Sequence, residues 1–155
     1  MSKLLSIDPG LSGALALHDG TLEKIDRVKY WIMPDTAQEL AKILYENKDG
    51  IEHAWLEKVH SFPGQGVSST WKFAQNYGII MGILGALQIP YESISPQKWQ
   101  QSMGLFSKDK ITRKRQIKER AQAYYPHLRV TLKNADALAM LMVMEAQYRQ
   151  NKGVV

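Results

Sequence analysis

Three acidic side chains stand at the ends of apolar runs, where a carboxylate rarely sits without a cationic partner. Asp8 closes LLSID, Glu57 closes AWLE, and Asp136 opens the helix-like stretch NADALAMLM. Each has an ordinary explanation. Asp8 in Asp-Pro-Gly serves as a turn residue, Glu57 as a solvated strand end, and Asp136 as a first-turn acid that favours a helix dipole by about 0.3–1 kcal/mol. Two features weigh against all three being ordinary. From Ala135 to Met144 every residue except Asp136 is apolar, so this helix is expected to be buried on most sides and the charge at its head desolvated. A strand ending at Asp8 beside one ending at Glu57 would also gather the anions in one place, where they repel strongly at low dielectric. A divalent cation resolves that conflict. Oxygen ligands without His or Cys select Mg²⁺, with Mn²⁺ as a substitute, over Zn²⁺.

The elements that would position these acids follow from period and punctuation. Residues 3–8 read as a strand stopped by Pro9-Gly10, and 13–18 as a second strand ending at an Asp19-Gly20 hairpin turn. Residues 21–33, rich in Val, Ile, Tyr and Trp, read as a third strand. Thr36 caps a helix to about Asn47 with Leu40, Ile43 and Leu44 on one face, and Asp49-Gly50 ends it. A fourth strand, 51–57, follows a helix and is expected to run parallel to a neighbour. After the loop HSFPGQG, Ser68-Ser69 caps a long helix to Gln88. Residues 90–95 form a fifth strand, Ser95-Pro96 opens another helix, 108–125 read as a basic amphipathic helix, and Asn134 caps the last. The order β-β-β-α-β-α-β-α-α-α predicts an α/β fold with a mixed five-stranded sheet.

The 155 residues suit one domain, 1–155, with no linker or repeat. Cysteine is absent, which excludes disulfides and thiolate metal sites and fits a reducing compartment. No apolar run reaches the roughly 18 residues of a membrane span, and the N-terminal run is too short for a signal peptide. The chain therefore reads as intracellular and cytoplasmic, without a membrane partner. Net charge is +5, with a pI near 9.4. Much of it falls in one block, Lys98, Lys108, Lys110, Arg113, Lys114, Arg115, Lys118 and Arg120, opposed only by Asp109 and Glu119. Such a block is either a solvated helix face or the footprint of a polyanion.

With these residues in view, SIDPGLSGALAL, WLEKVHSF, QNYGIIMGIL, ESISPQKWQ and KNADALAMLM, in that order, resemble the RuvC family of Holliday junction resolvases. The resemblance covers about residues 4–146. It implies a ribonuclease-H-like fold and a homodimer that binds four-way DNA junctions and makes paired nicks with two divalent metals, leaving 5′-phosphates. It implies Asp8, Glu57 and Asp136 as catalytic, metal-holding acids, with Asp8 shared between the two ions. Lys98 and Lys110 resemble residues that contact the scissile strand, and Lys108, Arg113, Lys114 and Lys118 continue the DNA-binding segment. The compact size and the long basic segment resemble phage-encoded members in a bacterial host.

Two positions depart from the family. A fourth metal-binding residue is usual three positions before the last Asp, where this chain has Lys133, a side chain that cannot ligate a metal. The site then lacks one ligand, or Lys133 contacts phosphate, or Asn134 or water fills the gap. An aromatic three residues after Glu57 is also usual. Here that residue is His60, with Phe62 two further on, either a wedge that stacks on bases or a loop residue over the core. Gly78, Gly82 and Gly85 make a small-residue stripe fit for a dimer seam or for close packing on the sheet. His18, His53 and His127 have no metal-ligand spacing, and the four tryptophans are expected in the core. Alternatives are a nuclease of this fold acting on other branched DNA or RNA–DNA hybrids, and a junction-binding module that has lost catalysis. A sugar-kinase-like ATPase needs a second domain and phosphate loop that this chain lacks.

Overall fold

The computed structural model describes residues 2–20, 25–58, 63–104 and 107–153. The elements run β1 (Lys3–Asp8), β2 (Ala14–His18), a 3₁₀ turn (Ile25–Arg27), β3 (Val28–Ile32), α1 (Ala37–Asn47), β4 (Ile51–Glu57), α2 (Val67–Ala86), β5 (Tyr91–Ile94), α3 (Pro96–Ser102), α4 (Lys110–Tyr124) and α5 (Ala135–Asn151). The sheet order is β3-β2-β1-β4-β5. β1 pairs antiparallel with β2 and parallel with β4, in the register Leu5 to Ala54 and Ile7 to Leu56. This is the mixed five-stranded sheet expected from the sequence. The central strands β1 and β4 are buried on both faces, which is why they read as near-continuous apolar runs.

Strand alternation sorts the side chains into two layers. Leu5, Ile7, Leu15, Leu17, Ala54 and Leu56 face α1 and α2, where Leu40, Leu44, Ile80 and Leu84 complete a core. Leu4 and Trp55 face α3, α4 and α5, together with Trp99, Ile117, Tyr125 and Leu138. Asp8 and Glu57 share the parity of Leu4 and Trp55, so both carboxylates lie on the α5 side of the sheet. α5 is buried along most of its length. Ser6 fixes its register on β1: the buried Oγ donates to the Ala137 carbonyl at 2.6 Å, one residue past Asp136. A second buried connection ties α5 to β2 and α4. Glu145 accepts from Tyr125 at 3.1 Å and Tyr124 at 3.2 Å and pairs with His18 Nδ1 at 2.8 Å. His18 is thus part of a buried polar network, a role its isolation in the sequence did not reveal.

Several local expectations change. Among the described residues the third strand runs Val28–Ile32 with a 3₁₀ turn, Ile25–Arg27, before it, and Asp19 N–H donates to the Arg27 carbonyl; the expected start of that strand, 21–24, lies outside the described residues. α2 begins at Val67 with Gly66 at its N-cap position, ahead of Ser68-Ser69. Asn134 stands at the N-cap of α5 without capping it; its side chain turns back to Thr131 N–H and the Arg129 carbonyl. Trp71 is 70% exposed, unlike the other three tryptophans, and lies outside the core. It belongs to a bare stripe of α2 at spacings of three and four, Val67, Trp71, Ala74, Gly78, Met81 and Gly85. A Cβ placed on Gly78, Gly82 or Gly85 would meet nothing within 4 Å, so the small-residue stripe does not pack on the sheet.

Candidate active site

Asp8 is the last residue of β1 and Glu57 the last of β4, one step beyond the paired Ile7 and Leu56. Parallel pairing places the two C-terminal ends at the same edge of the sheet. Asp136 in the first turn of α5 joins them, held there by the Ser6–Ala137 bond. All three line one open cleft of about 440 Å³. The turn after Asp8 is closed by the Gly13 N–H donating to the Gly10 carbonyl at 2.8 Å. Gly13 is required here, since a Cβ would fall 2.2 Å from the Asp8 carbonyl oxygen. The Gly10 N–H donates to Asp8 Oδ1 at 3.1 Å and orients that carboxylate. The motif Asp-Pro-Gly-Leu-Ser-Gly is therefore a device that presents one carboxylate at a strand end.

The three acids perturb one another. Burial, reinforced by the charges of Asp8 and Asp136, pushes the Glu57 carboxyl up to about 8 against the pull of Trp99 and Lys114. Burial and the Asp8 charge push Asp136 up to about 6, opposed by Lys114 and Arg113. Burial raises Asp8 as well, while the Gly10 N–H and Lys114 act to lower it. Among the described residues none of the three makes an ion pair within 4 Å. Partly buried like charges without a paired cation are the mark of a site that takes its cation from solution.

The donor chemistry fits a hard divalent cation, because every candidate ligand is a carboxylate oxygen. The spacing limits how it is held: among the described residues no three His, Asp or Glu side chains gather tightly enough to hold one ion together. Asp8, Glu57 and Asp136 are the residues that would hold such a cation at the cleft.

The basic residues surround the cleft unequally. Asp109 caps α4, accepting from Thr112 N–H at 2.9 Å, and Lys110, Lys114 and Lys118 follow one row along the helix. Lys114 acts on all three carboxylates, and Arg113 lines the cleft while its guanidinium holds the carbonyls of Ser107 and Lys108. Lys108 and Lys110 are exposed at the head of α4. Lys98 is exposed on α3 with its charge acting on Glu92, and it is not among the cleft's lining residues. Lys133 is exposed just before α5. Asn134, committed to its own loop, does not fill the place of a fourth ligand. His60 and Phe62 lie outside the described residues.

Sequence reading missed several contributors, Lys58 at the cleft wall among them. Gln97 and Gln100 on α3 and Phe73 on α2 line the cleft, and Trp99, fully buried, donates its indole N–H to Glu57 Oε2 at 2.6 Å. Asn76 on α2 donates to the Pro9 carbonyl at 2.8 Å, tying that helix to the Asp8 turn. The signal that was available lay in Trp99, because a buried indole N–H needs an acceptor.

No protein-family model matches the chain, and no curated protein matches it by sequence. Solved structures do. The structure is similar to Thermus thermophilus RuvC in complex with Holliday junction substrate, with a TM-score of 0.60 at 14% identity, covering 99% of this chain and 98% of that one. A Thermus thermophilus RuvC structure matches with a TM-score of 0.55 at 15% identity, over 98% of this chain and 97% of the other. At these identities the likeness establishes a shared fold, end to end.

Proposed function

We propose that this RuvC-like fold, read as one nuclease domain over residues 1–155, is a divalent-metal-dependent endodeoxyribonuclease that resolves four-way DNA junctions by paired nicks leaving 5′-phosphates. The observation that carries the reading is the convergence of Asp8, Glu57 and Asp136 on one cleft without a paired cation, beside Arg113 and the basic row of α4. Each of the three acids interacts electrostatically with the other two, and Asp8, on the central strand, is the one we assign as the ligand the two ions would share. Mg²⁺, or Mn²⁺ in its place, supplies water activation and stabilisation of the leaving 3′ oxygen. The protein's own contribution is to hold the carboxylates at a rigid sheet edge and to steer phosphate to them. Arg113 and Lys114 draw the scissile phosphate towards the acids, and Lys108, Lys110 and Lys118 continue the backbone track along α4, with Lys98 towards the β5 side. These contacts neutralise phosphate and read little sequence, so binding falls steeply with salt. His60 and Phe62, which follow β4 in the sequence, are proposed to meet unpaired bases near the cut.

A four-way junction offers two equivalent strands, and a twofold dimer matches them. The bare stripe of α2 supports that assembly. Val67 is 88% exposed and Trp71 70%, and the glycines that follow leave room for a second helix to approach closely. We read this face as the seam with a second copy of the chain.

The test is cleavage of synthetic four-way, three-way, flap and RNA–DNA hybrid substrates in Mg²⁺ and in EDTA. Symmetric nicks on the four-way junction, absent in EDTA, are the expected result. Cleavage confined to hybrids moves the chain to another substrate class, and junction binding without cleavage makes it a binding module.

A further inference from the structure

Trp99 sits on α3, a helix of seven residues opened by Ser95, whose Oγ accepts from Lys98 N–H at 3.3 Å. Its ring is enclosed by the α4–α5 core and has no exposure. The indole N–H reaches out of that core to a single acceptor, Glu57 Oε2, at 2.6 Å. That distance is at the short end for an N–H···O hydrogen bond. The other oxygen, Oε1, accepts no hydrogen bond from any described residue, and no buried side-chain oxygen or nitrogen among them lacks a partner, so Oε1 is open to the cleft. Two residues earlier on the same strand, Trp55 makes a similar bond to Glu92 Oε1 at 2.7 Å, away from the cleft.

We infer that Trp99 is the positioning residue for Glu57: its indole N–H anchors Oε2 and so turns Oε1 into the cleft, where a cation would meet it. This rests on the nuclease reading above. The reasoning is geometric. Turning the carboxylate away from Trp99 would leave a buried indole N–H without its acceptor, so the bonded orientation, with Oε1 towards the cleft, is the one held. The surrounding core holds the ring in place, so the ring selects the carboxylate rotamer and not the reverse.

The first arm of the test leaves Trp99 untouched. The variants W31F, W55F and W71F assign its indole signal in proton–nitrogen correlation spectra by elimination, and Mg²⁺ is then added to the metal-free protein. The Trp99 signal should move saturably with Mg²⁺ while that of the exposed Trp71 stays still. The second arm compares Mg²⁺ affinity, by calorimetry, in wild type, W99F and W55F. W99F should bind about 10- to 100-fold more weakly, the usual effect of removing a partner of a metal ligand, and W55F should bind as wild type does. A Trp99 signal that ignores Mg²⁺ while other signals respond overturns the inference, as does W99F binding with wild-type affinity. If W99F fails to fold, the first arm decides. Wild-type protein that takes up no Mg²⁺, with or without junction DNA, overturns the nuclease reading itself and the inference with it.

Discussion

Removing one of the three crowded carboxylates should stabilise the metal-free protein, and Glu57→Gln is the sharpest case. The Glu57 carboxyl stands at about 8 in the folded chain against an ordinary 4.5. A raised carboxyl binds its proton more tightly folded than unfolded. Between those two values the folded chain therefore holds more protons than the unfolded one, stability falls as pH rises through the window, and the loss is complete above about pH 8. The window spans about 3.5 pH units at about 1.4 kcal/mol each, which sets a ceiling of about 5 kcal/mol. Water reaches the open cleft and the chain relaxes, so roughly 2 kcal/mol is the expected gain for Glu57→Gln near pH 8 in EDTA. For a chain of this size that is about 4–8 °C in Tm. Glutamine retains an oxygen for the Trp99 N–H, so the packing is kept. The assay is thermal unfolding of both proteins from pH 4.5 to pH 8, in EDTA and in Mg²⁺. The advantage should vanish at the acid end. Mg²⁺ should erase or reverse it, because only the wild type has its full set of ligands and gains stability by binding. An advantage that is absent at pH 8, or that persists unchanged in acid, refutes the picture of crowded, desolvated charge.

Asp8→Asn should keep junction binding, measured by gel shift, and lower Mg²⁺-dependent cleavage by at least about 100-fold. Lys114→Ala should weaken binding alike on all junction sequences and reduce the slope of log affinity against log salt by about one. Trp71→Glu should keep the folded secondary structure, read by circular dichroism, since the residue is exposed in the single chain, yet should sediment as a monomer and lose symmetric nicking. Lys133→Asp, assayed at limiting Mg²⁺, should raise metal affinity, because a carboxylate replaces a cation ahead of α5; unchanged affinity removes that position from the site.

The sheet was legible because its central strands are buried on both faces, so LLSI and AWL could be read as strands with acids at their ends. The adjacency of Asp8 and Glu57 needed one further step, the parallel crossover through α1, which the element order supplied. Helix phase was not legible in the same way. On the short α3, Lys98 has the right charge for the cleft, yet Gln97 and Gln100 line it, because burial of Trp99 sets the rotation. Trp71 was assigned to the core by residue type, and the bare stripe around it exposes it instead. Asn134 has the right type for a cap, but the 129–131 loop competes for its side chain and wins.

α2 is twenty residues long, and among its described side chains only Ile80 and Leu84 are buried. One side of it grips the Pro9 carbonyl through Asn76, and the other side is bare. In the proposed dimer, a second copy covering that outer side would bear, through Asn76, on the turn that follows Asp8, and the placing of one carboxylate would then depend on both copies.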